Sequence, residues 1–456
     1  MYIDDTIAAL ATPPGYGSIA VIRISGSESL SIIQKVFKPI HEISDWQSHH
    51  VYLGWIHTSG QNIDQVMVTW FKKPQSYTTE EVVEISTHGS PIIVEKILNI
   101  LYQNGIRSAE PGEFTKRAFL NGRIDLSQAE SIMELIHSRS EKAAQLSLHM
   151  LKGQFTSQLD QMKNQMVELI AYLEAFIDFP EEDLPAQDAC EIKDRMQSIQ
   201  QISQALYQSA QSSRLLNRGI NIVIMGPANA GKSSLFNALI GRERAIVSPH
   251  AGTTRDFIDA EILYKGFLLR LVDTAGLRQP GHEIEKIGQE KGKAESQISD
   301  LILFVVDGSS LPDQGVLEEW KTVSKDRVIL VKNKKDIIHF NSDWGRAWHG
   351  SWPEYEISVK FALGLDILMD GIINYFDKND KLLDDKWIFN HRQISIVENI
   401  YNFIQKAFQS FFQENLSHEL VVSELRAALN ALEQLLGEDL SEQVLDEIFG
   451  RFCLGK

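Results

Sequence analysis

Cysteine is almost missing from this chain. Cys190 and Cys453 are the only two, far apart in sequence, so neither a disulfide framework nor a Cys-type zinc cluster is available. That fits a reducing, cytoplasmic setting. Long apolar runs are missing as well: none approaches the ~18–20 residues that a membrane span needs, and no membrane partner is expected. Positive charge is scarce, with 44 Lys and Arg against 61 Asp and Glu and a net charge of −17. A chain this acidic does not attract a phosphate backbone through its overall field. Any nucleic-acid contact must be local or supplied by a partner. The first residues, Met1-Tyr2-Ile3-Asp4-Asp5, contain no basic stretch, and Arg23 is the first cationic side chain, which argues against a signal peptide. The 13 histidines show no HExxH or other metal spacing, so they default to surface and core duties.

What is present is ordinary globular material: 43% hydrophobic and 23% charged over 456 residues, enough for about three domains. Up to residue 119 the chain carries short β-like runs, Ile19–Ile24, Val66–Phe71 and Val82–Ile85, then a helical stretch from Pro91 to Tyr102. This reads as a small α+β domain. From 120 to 216 the apolar positions recur at helical intervals, and Ser127-Gln128-Ala129-Glu130 has the form of a capping box. From 217 to 378 apolar strands alternate with helices, the pattern of a parallel sheet. From 379 to 456 the helical period returns. The expected architecture is multidomain, α/β and α: an N-terminal α+β domain, a discontinuous helical bundle, and an inserted α/β unit with a mostly parallel sheet. The acidic run Phe179-Pro180-Glu181-Glu182-Asp183 reads as a solvated junction between helices.

The inserted segment carries the chemistry. The strand Ile220–Met225 runs into Gly226-Pro227-Ala228-Asn229-Ala230-Gly231-Lys232-Ser233, a GxxxxGKS, and then into a helix through Ser234. Small residues let backbone N–H groups converge on phosphate, and the helix N-terminus adds its dipole. Lys232 can reach the β/γ-phosphates, and Ser233 can ligate Mg²⁺. A second strand ends in Asp273-Thr274-Ala275-Gly276, where the carboxylate can hold Mg²⁺ through water and the Gly276 N–H can sense the γ-phosphate. A third leads to Asn333-Lys334-Lys335-Asp336. The Asp336 carboxylate can accept both N–H donors of a guanine edge, whereas adenine would leave it unpaired. Ser358-Val359-Lys360 falls where a base-contacting loop is expected. In this order the motifs point to GTP and make the inserted unit a P-loop, Ras-like G domain. Between them, Gly252-Thr253-Thr254-Arg255-Asp256 supplies Thr254 to complete a Mg²⁺ shell in a mobile switch.

The position after the DTAG motif, which many signalling GTPases fill with a water-orienting glutamine, is Leu277. Leucine cannot orient water, so hydrolysis needs another polar group, with His282, Glu283 and Glu285 all within reach in sequence. No arginine finger is evident. Arg255 and Arg278 are the nearest candidates, and a monovalent cation could supply the charge instead.

Further pieces carry a specific resemblance: Asp5-Thr6-Ile7-Ala8-Ala9, Ala11-Thr12-Pro13-Pro14-Gly15, Arg23-Ile24-Ser25-Gly26, Pro111-Gly112-Glu113-Phe114, Arg117-Ala118-Phe119-Leu120-Asn121-Gly122 and the closing Cys453-Leu454-Gly455-Lys456. Together with the G domain they make the chain resemble, over nearly its whole length, the MnmE (TrmE) family of bacterial tRNA modification GTPases. The resemblance implies an N-terminal domain that forms a homodimer and binds a tetrahydrofolate derivative, and a potassium-stimulated GTPase activated when two G domains meet. The implied partner is the flavoprotein MnmG (GidA), with tRNA engaged mainly in the complex. Together they would add an aminomethyl-type group (carboxymethylaminomethyl) to C5 of the wobble uridine.

Residue by residue, the resemblance implies K⁺ ligation by Asn229 with Ser248, His250 and Thr253, and it selects Glu285 as the glutamate that positions water. It implies folate contacts from Arg23, Glu84, Arg123 and Lys456. Arg123 stands where the family usually has lysine and changes the geometry of that charge. In the phosphate loop, Pro227 is displaced by one position from the family's proline. Cys453 is open between a small buried hydrophobe and a chemical role; the family treats it as functionally important, and its sequel Leu454-Gly455-Lys456 does not fit prenylation. The catalytic candidates are thus Glu285, Lys232 and Cys453. Two other functions fit the G domain: a ribosome-assembly GTPase, disfavoured by the acidic balance and the lack of an RNA-binding appendix, and a non-enzymatic switch scaffold, which Leu277 would permit.

Overall fold

The computed structural model describes residues 5–58, 60–178, 186–242, 258–273, 299–310, 327–337, 352–380, 386–412, 418–438 and 440–456. The chain folds into two compact units. The first takes the residues up to Met133, with Leu151–Asn164 and Leu429–Lys456; the second takes Glu134–Met150 and Gln165–Ala428.

In the first unit, alternation of apolar and polar side chains builds one sheet. Its strands are β1 (Ile7–Leu10), β2 (Gly17–Ser25), β3 (Phe37–Pro39), β4 (Val51–Thr58), β5 (Gln61–Phe71), β6 (Val82–Gly89) and β7 (Arg107–Ser108), in the order β3-β4-β5-β6-β2-β1-β7. Every neighbouring pair is antiparallel except β1 with β7. Ala20, Ile22 and Ile24 of β2 share a buried face with Val66 and Val68 of β5 and Val83 and Ile85 of β6. The helices α1 (Ser29–Val36) and α2 (Pro91–Gln103) cover it with Ile32, Ile33, Val94, Ile97 and Leu101. Register, fixed by that buried face, sets Arg23 directly opposite Glu84.

A second cluster lies under α3 (Glu113–Leu120), the start of α4 (Leu126–His137) and a helix from the far end of the chain, Glu442–Phe449. Leu126, Ala129, Leu445, Ile448, Phe449 and Phe452 are buried there. The capping box expected at Ser127–Glu130 lies elsewhere. Asp125 Oδ1 accepts the Gln128 N–H at 2.8 Å, and the Asp125 N–H donates to Gln128 Oε1 at 2.9 Å. Ser127 is buried inside the helix. The motif matches in both frames, and the frame that buries Leu126 and Ala129 wins.

The second unit combines helices with a second sheet. The helical part comprises α5 (Glu141–Met150), most of α6 (Gln154–Asp178), α7 (Ala186–Arg218) and, past the sheet, α9 (Leu365–Asp380), α10 (His391–Phe411) and the start of α11 (His418–Leu436). α7 packs along α10, where the Tyr207 and Tyr401 rings stack 4.2 Å apart and Glu398 accepts from Gln211 and Arg214. α10 starts with a capping box formed by Asn390 and Gln393. The C-terminal helix of the first unit, Glu442–Phe449, is α12.

The second sheet is β8 (Ile220–Met225), β9 (Ile258–Tyr264), β10 (Phe267–Asp273), β11 (Leu301–Asp307), β12 (Val328–Asn333) and β13 (Glu354–Glu356), in the order β13-β12-β11-β8-β10-β9. All neighbours are parallel except β9 with β10. β11 and β12 are almost wholly buried, as their unbroken apolar runs require in a sheet covered on both faces. The expected α+β, discontinuous helical and mostly parallel α/β architecture is therefore what forms. Parallel strands bring their C-terminal ends to one edge, so the segments after β8, β11 and β12 gather there. Helix α8 (Lys232–Arg242) starts at the same edge.

Candidate functional site

The phosphate loop leaves β8 through Gly226, whose φ is +140°; a Cβ there would lie 2.0 Å from the Val305 carbonyl oxygen of β11. Only glycine fits. Asn229 takes φ +61° and Gly231 φ +94°, where a Cβ would meet Asn333 Nδ2 at 2.3 Å. Lys232 opens α8 and donates from Nζ to the carbonyls of Gly226 (3.0 Å) and Pro227 (2.8 Å). The ammonium is thus held across the loop that would wrap a phosphate.

Asn333 ties the site together. Its Nδ2 donates to Ala230 O (3.0 Å), and its Oδ1 accepts from Lys334 N (2.8 Å) and Val359 N (3.2 Å). One buried side chain therefore joins the phosphate loop, the NKKD turn and the Ser358–Lys360 loop. Asp336 Oδ1 accepts from Ser358 Oγ at 2.5 Å. That bond, with Lys360 and Lys334 nearby, holds the carboxyl below its usual range. Between these segments lies a cavity of about 750 Å³, with Lys232, Ser233 and Ser234 at one end and Lys334, Asp336 and Lys360 at the other. A nucleotide needs this separation: donors and a cation for phosphate, then an ionised acceptor for an N–H edge. Ser233 suits a hard cation such as Mg²⁺, which would neutralise phosphate charge; Asp273 closes β10.

Of the expected residues, Gly226, Asn229, Ala230, Gly231, Lys232, Ser233, Ser234, Asn333, Lys334, Asp336, Ser358, Val359 and Lys360 meet at this edge. Thr274, Ala275, Gly276, Thr253, Thr254, Ser248, His250 and Glu285 lie outside the described residues, as do Arg255, Leu277, Arg278, His282, Glu283 and the 179–183 run.

The first unit holds a second candidate site. Arg23 Nε bonds Glu84 Oε1 at 2.9 Å, and its guanidinium lies over Tyr77 (5.1 Å) and Phe114 (5.8 Å). The Arg123 guanidinium lies 5.7 Å from the same tyrosine ring. Tyr77, Glu84 and Arg123 border a cavity of about 560 Å³. The C-terminal tail reaches this group: Arg23 Nη1 donates to Gly455 O at 3.5 Å. Gly455 has φ +87°, and a Cβ would fall 2.1 Å from Leu10 O. Burial, reinforced by Arg23, holds the Lys456 amine below the ordinary lysine range. Cys453 is exposed, which removes its reading as a small buried hydrophobe. Tyr77 was not foreseen from sequence. The available signal was an aromatic between polar turn residues, Gln75-Ser76-Tyr77-Thr78-Thr79, where no core position was due.

Comparison with known proteins agrees along the chain. The family profile described as MnmE helical domain matches residues 126–453, and that of the GTP-binding protein TrmE N-terminus matches residues 6–123. The tRNA modification GTPases MnmE of Thermotoga sp. (strain RQ2) and Thermotoga maritima are each 37% identical, over 99% of this chain and 100% of theirs. That of Moorella thermoacetica is 37% identical over 100% of both. With two profiles in register along the chain and relatives matched end to end, the chain belongs to the MnmE (TrmE) family of tRNA modification GTPases.

Proposed function

We propose that this chain binds and hydrolyses GTP as the nucleotide-driven subunit of a tRNA-modifying system. The observation that carries the reading is the shared cavity: Asp336, kept ionised beside Ser358, faces one end, and Lys232 and Ser233 hold the other. Guanine offers two N–H donors to an ionised carboxylate and adenine does not. Ser233, with Asp273 and Thr254, would hold Mg²⁺, and Asn229, with Ser248, His250 and Thr253, would hold K⁺ to supply positive charge in place of an arginine. Glu285 would orient water. The functional segments are proposed as residues 1–119, 120–216, 217–378 and 379–456.

Family membership supports the rest. Arg23, Glu84, Arg123 and Lys456 would bind a tetrahydrofolate one-carbon donor, two copies would form a homodimer, and MnmG with tRNA would complete the complex. The product would be an aminomethyl-type group at C5 of the wobble uridine. Among the described residues, no helix is long and apolar enough to cross a membrane.

GTP turnover by the purified chain across Li⁺, Na⁺, K⁺ and Cs⁺ tests the G-domain reading. Potassium should stimulate, ATP should not compete, and Asn229→Ala should lose the stimulation. Equal turnover in sodium, or ATP bound as well as GTP, would remove it. Nucleoside analysis of tRNA from cells lacking the protein tests the modification.

A further inference from the structure

We propose that Asp307, the last residue of β11, is a positioning residue for guanine nucleotides: its carboxylate fixes the Lys334 ammonium, so that the lysine stem forms a preset wall at the base end of the cavity. This deepens the guanine-nucleotide reading above and rests on it. Lys334 Nζ lies 2.5 Å from Asp307 Oδ2. Lys334 and Asp336 both line the cavity and Asp307 is not among the residues that do, so Asp307 acts through the lysine it bonds.

Both ends of Lys334 are held. Its backbone takes φ +68°, and its N–H donates to Asn333 Oδ1 at 2.8 Å. The carboxylate is fixed in turn. Asp307 Oδ1 accepts from Ser309 N (2.9 Å) and Ser309 Oγ (2.6 Å), and the Gly308 N–H donates to Asn333 O at 2.9 Å. Burial alone would disfavour the Asp307 charge, but the hydrogen bonds from Lys334 and Ser309 outweigh it and hold the carboxyl below its usual range. A free lysine has four soft torsions that a ligand must order on binding; a lysine already clamped at both ends spares the ligand that cost. The sequence has the same pattern at β10 and β11, an apolar strand closed by aspartate. The carboxylate of β11 bonds the guanine-motif lysine.

The test uses the full chain and a fluorescent GDP analogue. Asp307→Asn keeps an oxygen for Ser309 but faces the ammonium without charge. It should weaken GDP binding by about tenfold, the scale of one charge-assisted hydrogen bond, and raise KM for GTP rather than lower kcat. Lys334→Met keeps the stem and removes the head. In that background Asp307→Asn should change affinity by less than about twofold, because the pair no longer exists to be broken. Two results would overturn the inference: wild-type affinity in Asp307→Asn, or the same tenfold loss with Lys334→Met present, which would assign Asp307 to the Ser309 turn alone. If the unaltered chain bound no GDP, the guanine reading itself would fall and the inference with it.

Discussion

Glu113 shows how much one carboxylate can carry. It is buried, and its oxygens accept from Arg107 Nη2 (2.6 Å), Arg107 Nη1 (3.0 Å), Arg117 Nη2 (2.9 Å) and Glu110 N (2.8 Å). Burial opposes its ionisation, but the Arg107 fork and the Glu110 and Arg117 bonds outweigh that, and its pKa lies below the ordinary value. A depressed acid contributes stability above its unfolded pKa, about 4.3, and loses it as pH falls through the folded value. Glu113→Gln should therefore cost about 3 kcal/mol at neutral pH, since it leaves two arginines under-paired. It should also flatten the acid limb of the stability curve below about pH 4.5. Urea melts at pH 7 and pH 4 check both; a variant as acid-labile as the parent would show that the charge is held elsewhere. The motif Pro111-Gly112-Glu113-Phe114 was legible as a family mark. Its partner Arg117 lies one turn on in the same helix, whereas Arg107 became evident only once α3 lay beside β7.

At the scale of elements, the clearest lesson is α4. Its N-terminus is read two residues late from sequence, because Ser-x-x-Glu and Asp-x-x-Gln are both valid capping patterns and only packing chooses between them. Asp125 also accepts from Thr156 Oγ1 at 2.5 Å, so it caps one helix and restrains the start of α6. Asp125→Ala should destabilise the first unit by about 1 kcal/mol or somewhat more, read from the denaturant midpoint, while Ser127→Ala should change little. An equal loss in both would return the cap to Ser127. The strands β8, β10 and β12 were legible nearly to the residue, because a strand covered on both faces is mostly apolar; the breaks are Asn221, the exposed Arg270 and the closing Lys332-Asn333. β13, with the sequence Glu-Tyr-Glu, was not legible; it forms because its backbone pairs β12 from Leu330 to Lys332, and Lys332 pairs with Glu354 at 2.6 Å.

At the scale of the molecule, the first unit is closed by the last residues of the chain. Phe449 and Leu126 are fully buried in a cluster that also holds Leu445, Ile448 and Phe452, each large side chain contributing roughly 1.5–3 kcal/mol. A Cβ on Gly112 would meet Phe449 O at 2.3 Å, so α12 sits hard against the start of α3. Deleting residues 429–456 should therefore abolish the cooperative unfolding of the first unit in calorimetry and leave a transition from the second. A retained first transition would show that the N-terminal sheet is self-sufficient.

The nucleotide-loop motifs and the class of each segment follow from local residue order alone. A phosphate cradle needs its glycines, lysine and serine within one turn, and helix and strand periods repeat locally. The tertiary structure decided everything that joins distant residues. Asn333 reaches Ala230 across 103 positions, Asp307 reaches Lys334 across 27, and Arg23 meets Gly455 across 432. Such contacts leave no local pattern, because what sets them is which strands lie side by side, and strand order is fixed by packing the whole core at once.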